Sequence, residues 1–182
     1  NHLGHFALAG RVIPLVEKAR GRIVSVASIA HKYGEKRIRF DDMHWQNGYN
    51  PVSAYAQSKL ANLLFIHHLS NRLADGNSGV TAYNCHPGYS STNLQFSGPG
   101  KLFSPLFAVM NVILAQKAEY GSYPTLLAAT DERAKNGGYY GPTGFRELGG
   151  PVRETAPARF ARNDQAAEQL WQVSQQETGV NW

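Results

Sequence analysis

A chain of 182 residues with 42% hydrophobic content supports one domain with a core of its own and argues against two. Eighteen Lys and Arg against 13 Asp and Glu leave a net charge of +5, but the surplus is spread thinly. Its densest stretch, His31 to Arg39, includes Glu35 and forms no nucleic-acid module. A single cysteine excludes an internal disulfide framework and points to a reducing, cytoplasmic setting.

In chain order, Asn1 to Phe6 lack the basic start and apolar run of a signal peptide. Leu3, Phe6, Ala7, Val12, Ile13, Leu15 and Val16 recur at helical spacing. That helix is predicted to end near Arg20-Gly21, with Gly21 in the left-handed terminal position. Arg22 to Val26 reads as a short strand, followed by a polar loop from His31 to Asn50. The loop's aromatics, Tyr33, Phe40, Trp45 and Tyr49, either line a cleft or anchor the loop. Pro51 opens a long helix whose apolar positions continue to Asp75-Gly76, and Val80 to Cys85 forms a second strand before His86-Pro87-Gly88. Strand, helix and strand in this order make a parallel crossover.

Residues 89 to 104 read as a loop, with helical candidates at Leu106–Ala115 and Glu119–Ala134, the pair separated near Gly121–Pro124. The most apolar run, Leu102 to Ala115, is too short to span a bilayer. It suits a core helix, a lid or a peripheral membrane contact. Gly138 to Gly141 reads as a third strand, and a last helix covers Asp164 to Gln175. The result is an α/β layer protein with three strands at most. A parallel sheet so small leaves an open edge that calls for partner strands.

Chemistry concentrates in Tyr55-Ala56-Gln57-Ser58-Lys59. Positions i and i+4 share a helix face, and a cation beside a phenol favours the phenolate, which suits a tyrosine to proton transfer. Alone, the spacing also describes an ordinary solvated helix face. Cys85-His86 makes a poor nucleophilic dyad, because adjacent strand residues point to opposite faces. His2 with His5 lacks the further ligands a metal needs.

Four blocks in order change the weight of that pair: Asn1-His2-Leu3-Gly4-His5-Phe6, Gly21 to Ser28, Tyr55-Ala56-Gln57-Ser58-Lys59-Leu60-Ala61-Asn62, and His86-Pro87-Gly88. Together they resemble the short-chain dehydrogenase/reductase family, and with Ile38 to Asp42 and Leu170 to Ser174 its retinol-dehydrogenase-like subgroup. The resemblance implies the carboxyl-terminal part of a Rossmann-type, doubly wound parallel sheet. Residues 1–182 would be the catalytic half of one NAD(P)-binding domain, with a variable substrate lid at about 89–116.

The resemblance also implies roles. Ser28 matches the catalytic serine, Tyr55 the general acid/base, and Lys59 the lysine that holds the nicotinamide ribose beside it. Asn1 matches the asparagine of the proton-relay path. Pro87, Gly88 and Thr92 match the segment beside the nicotinamide. Ala27 departs from the second serine that many members carry, next to the matching position. The implied activity is NAD- or NADP-dependent interconversion of an alcohol and its aldehyde or ketone, on a hydrophobic substrate, by a homo-oligomer without nucleic-acid partners. An inactive fragment or a binding scaffold on the same fold is the alternative, and an epimerase or dehydratase a third reading. The family's glycine-rich dinucleotide fingerprint is expected before Asn1, so roughly a hundred residues, or three strand–helix units, are expected to be missing. Gly141 to Gly144 and Gly149-Gly150 come too late to supply it and read as turns.

Overall fold

The computed structural model describes residues 1–88 and 118–182. The expected lid, the helix at 106–115 and Thr92 lie outside them. The first helix, α1 (Leu3–Lys18), leads into strand β1 (Arg22–Val26). Their junction is a Schellman closure: the Gly21 amide donates to Val16 O at 2.8 Å and the Arg20 amide to Glu17 O at 3.0 Å. The left-handed residue is Arg20, at φ 47°, and not Gly21 as the sequence led us to expect. Gly21 follows one place later, where a Cβ would lie 3.1 Å from Val16 Cγ1, a tight approach.

A 3-10 turn (Ile29–Lys32) follows β1, and the long helix α2 (Pro51–Asp75) begins where Pro51 predicts. The Asn50 side chain accepts from the Val52 and Ser53 amides at 3.1 and 3.0 Å, and Pro51 occupies a first-turn position where its missing N–H costs nothing. After α2 come β2 (Thr81–Cys85), α3 (Ala118–Thr130), β3 (Tyr139–Pro142), β4 (Val152–Thr155) and α4 (Asp164–Thr178).

The sheet order is β1-β2-β3-β4, with β1–β2 and β2–β3 parallel and β3–β4 antiparallel. Four strands among the described residues correct the expectation of three. The fourth arises because Gly141 and Pro142 end β3 instead of forming a turn. The chain then reverses through Gly144 and Gly149, whose backbones bond at 2.8 Å. A Cβ on Gly144 would sit 2.4 Å from Gly149 O, so this close crossing demands glycine. Helix α3 also departs from expectation. It runs unbroken through Gly121 and Pro124, both buried, and stops at Thr130 rather than at Ala134. Arg22 caps it, donating to Ala128 O at 3.1 Å and Asp131 O at 2.8 Å. Helix α4 continues three residues past Gln175, to Thr178, and ends at Gly179 in the left-handed conformation.

Helix α2 lies between the sheet and α4 and is buried on every side from Leu60 to Ile66. One core packs Leu60, Leu63 and Leu64 against Ala27, Tyr139 and Leu170. A second joins Phe6, Phe65 and Ile66 to Trp171. There the Phe6 ring meets Trp171 edge-on at 5.0 Å and Trp182 at 5.5 Å. No helix among the described residues is long and apolar enough to cross a membrane.

Candidate active site

The carboxyl ends of β1 and β2 lie side by side. Val26 pairs with Cys85, and the Ala27 amide donates to Cys85 O at 2.8 Å. Ser28 therefore emerges next to His86-Pro87-Gly88. Its backbone is extended, and its Oγ accepts the Ala30 amide at 3.1 Å, so the side chain starts the 3-10 turn. Accepting that bond leaves the hydroxyl hydrogen without an acceptor among the described residues and available to donate.

Tyr55 and Lys59 stand one turn apart on α2, with the Lys59 ammonium 5.6 Å from the centre of the Tyr55 ring. Lys59 Nζ donates to Val26 O at 3.0 Å, two residues before Ser28. This bond brings the Tyr-Lys helix to the serine turn. The Asn62 amide reaches the same carbonyl at 3.4 Å. Burial holds the Lys59 pKa below the usual lysine value. With one of its three N–H groups used, the ammonium keeps two for further acceptors.

Asn1 is exposed, and its side-chain amide donates to Ser58 Oγ at 3.4 Å. The Ser58 hydroxyl in turn donates to Tyr55 O at 2.8 Å. Asn1 is thus tied to the backbone of the Tyr55 turn. Gly88 adopts φ 70°, and its amide donates to His86 Nδ1 at 3.3 Å. Ser28, Tyr55, Lys59 and Gly88 therefore come from two strand ends and one helix, converging on the carboxyl side of the sheet, where open α/β folds bind ligands.

The loop aromatics divide. Trp45 is buried under the Arg39 guanidinium, 3.8 Å above its ring, and Phe40 packs on the core, while Tyr33 and Tyr49 are exposed. A cavity of about 280 Å³ lies among Asn1, Met43, Trp45, Gln57 and Ser58. Neither Ser28, Tyr55 nor Lys59 lines it. Cys85 is buried against Thr125 Oγ1 at 3.3 Å, and burial pushes its thiol up, which suits packing and not nucleophilic attack. No group of three or more metal-ligating side chains is assembled among the described residues.

Two residues at the site's base went unassigned in the sequence: His31 and His86, both fully buried. His31 Nδ1 bonds Ser28 O at 2.6 Å, while the Ala158 amide donates to its Nε2 at 3.1 Å. The local signal was only their position, three residues after Ser28 and two before Gly88.

A nicotinamide dinucleotide, which the family resemblance implies, fits this donor set: a hydroxyl with its hydrogen unused, a phenol, and an ammonium with spare N–H groups.

No protein-family model matches the chain. It is 37% identical over its whole length to retinol dehydrogenase 12 of Mus musculus, covering 54% of that protein. Over 99% of its length it is 38% identical to human retinol dehydrogenase 13, covering 53% of it. A crystal structure of an uncharacterized protein from Mycobacterium paratuberculosis superposes with a TM-score of 0.77 at 35% identity, over all of this chain and 57% of that one. The chain spans about half the length of these curated relatives, whose coverage is 54% and 53%; with these blocks, this sheet and this convergence of Ser28, Tyr55 and Lys59, it belongs to the short-chain dehydrogenase/reductase family, in its retinol-dehydrogenase-like subgroup.

Proposed function

We propose that the protein is an NAD(P)-dependent oxidoreductase that interconverts a hydrophobic alcohol and its aldehyde or ketone. The observation that carries this reading is the Lys59 Nζ to Val26 O bond at 3.0 Å, which draws the Tyr55-Lys59 helix against the strand end that presents Ser28. The relatives named for retinol, an apolar primary alcohol, support the substrate class.

The nicotinamide, when bound, supplies or accepts the hydride. The chain's residues handle everything else. In reduction, negative charge develops on the carbonyl oxygen, and the Ser28 hydroxyl donates a hydrogen bond to it. Tyr55 delivers the proton from its phenol oxygen, and in oxidation takes it back from the alcohol. Lys59 holds positive charge beside the phenol and offers its two remaining N–H groups to the ribose hydroxyls. Pro87 and Gly88 would lie beside the nicotinamide, and the family resemblance assigns Thr92 to the same stretch of sequence. Asn1, through Ser58, steadies the turn that bears Tyr55 and offers an amide to the relay that refills its proton.

The test is Tyr55→Phe in the protein, assayed by nicotinamide absorbance with a long-chain primary alcohol and the matching aldehyde. Turnover is expected to fall by at least about 10²-fold, the usual contribution of a positioned acid/base, with nicotinamide binding by fluorescence retained. Undiminished turnover would place the proton donor elsewhere and sink this reading.

A further inference from the structure

We propose that His31 and His86 are positioning residues that lock the turn carrying Ser28 and the turn carrying Gly88 into one unit. This rests on the oxidoreductase reading of the site and adds how its two strand ends are held in register.

Both imidazoles are fully buried, which is costly for a polar ring unless its nitrogens are matched. Their partners set opposite tautomers. His31 Nε2 accepts the Ala158 amide, so its proton sits on Nδ1 and is donated to Ser28 O. His86 Nδ1 accepts the Gly88 amide, so its proton sits on Nε2. Each ring therefore spends a nitrogen on the backbone of one functional turn.

The two rings are joined through Tyr139 of β3. His86 stacks on it at 5.1 Å and 30°, and His31 meets it edge-on at 6.0 Å and 87°. Gly141 makes the room: a Cβ there would fall 1.9 Å from His86 Nε2. A second path closes the loop outside the rings. Glu147, from the β3–β4 connection, bonds Lys32 Nζ at 2.7 and 2.8 Å and places Oε2 3.7 Å from His86 Nε2, beyond hydrogen-bond reach, so that buried nitrogen has no hydrogen-bond partner among the described residues. Lys32 belongs to the same 3-10 turn as His31. Ser28, His31, Tyr139, His86, Glu147 and Lys32 thus form a circuit, joined between Glu147 and His86 by proximity and not by a hydrogen bond, so displacement of one turn strains the other. Burial lowers the pKa of both histidines, that of His86 to about 4, which keeps both rings neutral and their lone pairs available at neutral pH.

Packing alone would also bury these rings, and the choice of variants separates the two roles. His86→Leu keeps bulk and removes the acceptor for the Gly88 amide; His86→Asn supplies a carbonyl oxygen near the Nδ1 position. Amide hydrogen exchange is followed at residues 28–33 and 86–88. His86→Leu is expected to speed exchange at both turns by about tenfold, the equivalent of one buried hydrogen bond, including the 28–33 turn that His86 does not bond. His86→Asn is expected to restore both. In the turnover assay, kcat falls in His86→Leu by a similar factor, with the KM for alcohol nearly unchanged, and recovers in His86→Asn.

Acceleration confined to 86–88, or no recovery with asparagine, overturns the proposal in favour of packing. If His86→Leu does not fold, Glu147→Gln breaks the outer path while keeping shape: faster exchange at both turns supports the circuit, and unchanged exchange overturns it. Absent turnover in the unsubstituted protein defeats the oxidoreductase reading alone, since the exchange pattern still decides the coupling.

Discussion

Along α2, the segment from Tyr55 to Lys59 and the segment from Leu60 to Leu73 share one helix but meet different surroundings. Tyr55 and Lys59 are half-buried, and Lys59 is held by one hydrogen bond to Val26 O. One residue later the helix enters the core, and every residue from Leu60 to Ile66 is buried, chiefly against the sheet, α4 and Phe6 of α1. The difference teaches how a site can keep groups available without being loose. The rear of the helix supplies rigidity through apolar contact. The front leaves donors uncommitted, because a group already paired inside the protein is a poor partner for a ligand. Stability and chemistry are thus expected to separate along this helix.

The sharpest break of that comparison comes from Phe65→Ala. Phe65 lies among Phe6, Trp171 and Trp182 at centroid distances of 5.6 to 6.0 Å. Its removal is expected to cost about 3–5 kcal/mol in denaturant unfolding, while nicotinamide binding by the remaining folded protein stays near normal. A loss below about 1 kcal/mol would mean the rear of α2 is not what anchors the front.

Acid is expected to act next. Burial depresses the pKa of both His2 and His86 to about 4. Below the unfolded value near ~6.5 the unfolded chain takes up protons that the folded one refuses. Stability from these two residues is therefore flat above about pH 6.5 and falls as pH drops toward 4, by on the order of 3 kcal/mol for each. Denaturant midpoints measured between pH 7 and 4 check the sign. A rise in stability across that window would show that the rings are charged in the fold.

The smallest effect on stability is expected at the front. Lys59→Met keeps the apolar stem and loses the bond to Val26 O, so unfolding should shift by about 1 kcal/mol or less. Turnover and nicotinamide affinity should nonetheless collapse. A large loss of stability with intact turnover would reverse the roles assigned to the two segments.

What could be read locally was read well where the cause was local. Pro51 marks the start of α2 because a proline acts within one turn, while the Asn50 cap shows only in the structure. Leu60, Leu63, Leu64 and Leu69 recur at helical spacing and mark the apolar face of α2. Strand β4 escaped notice because Arg153 and Glu154 are exposed and only its ends are half-buried, which leaves no apolar alternation to detect. The helix-ending motif at Arg20-Gly21 was legible in kind but displaced by one residue, since the bonds from the Arg20 and Gly21 amides that close the helix place the left-handed turn at Arg20.

The sequence by itself determined the α/β class, the Tyr55-Lys59 pairing on one helix face and the family resemblance, because each depends on residues within a few turns of one another or on blocks in a set order. The tertiary structure decided the rest. Val26 O receives Lys59 across a separation of 33 residues, and Ala158 reaches His31 across 127. Such contacts follow from how strands stack in a sheet, and no local periodicity records them.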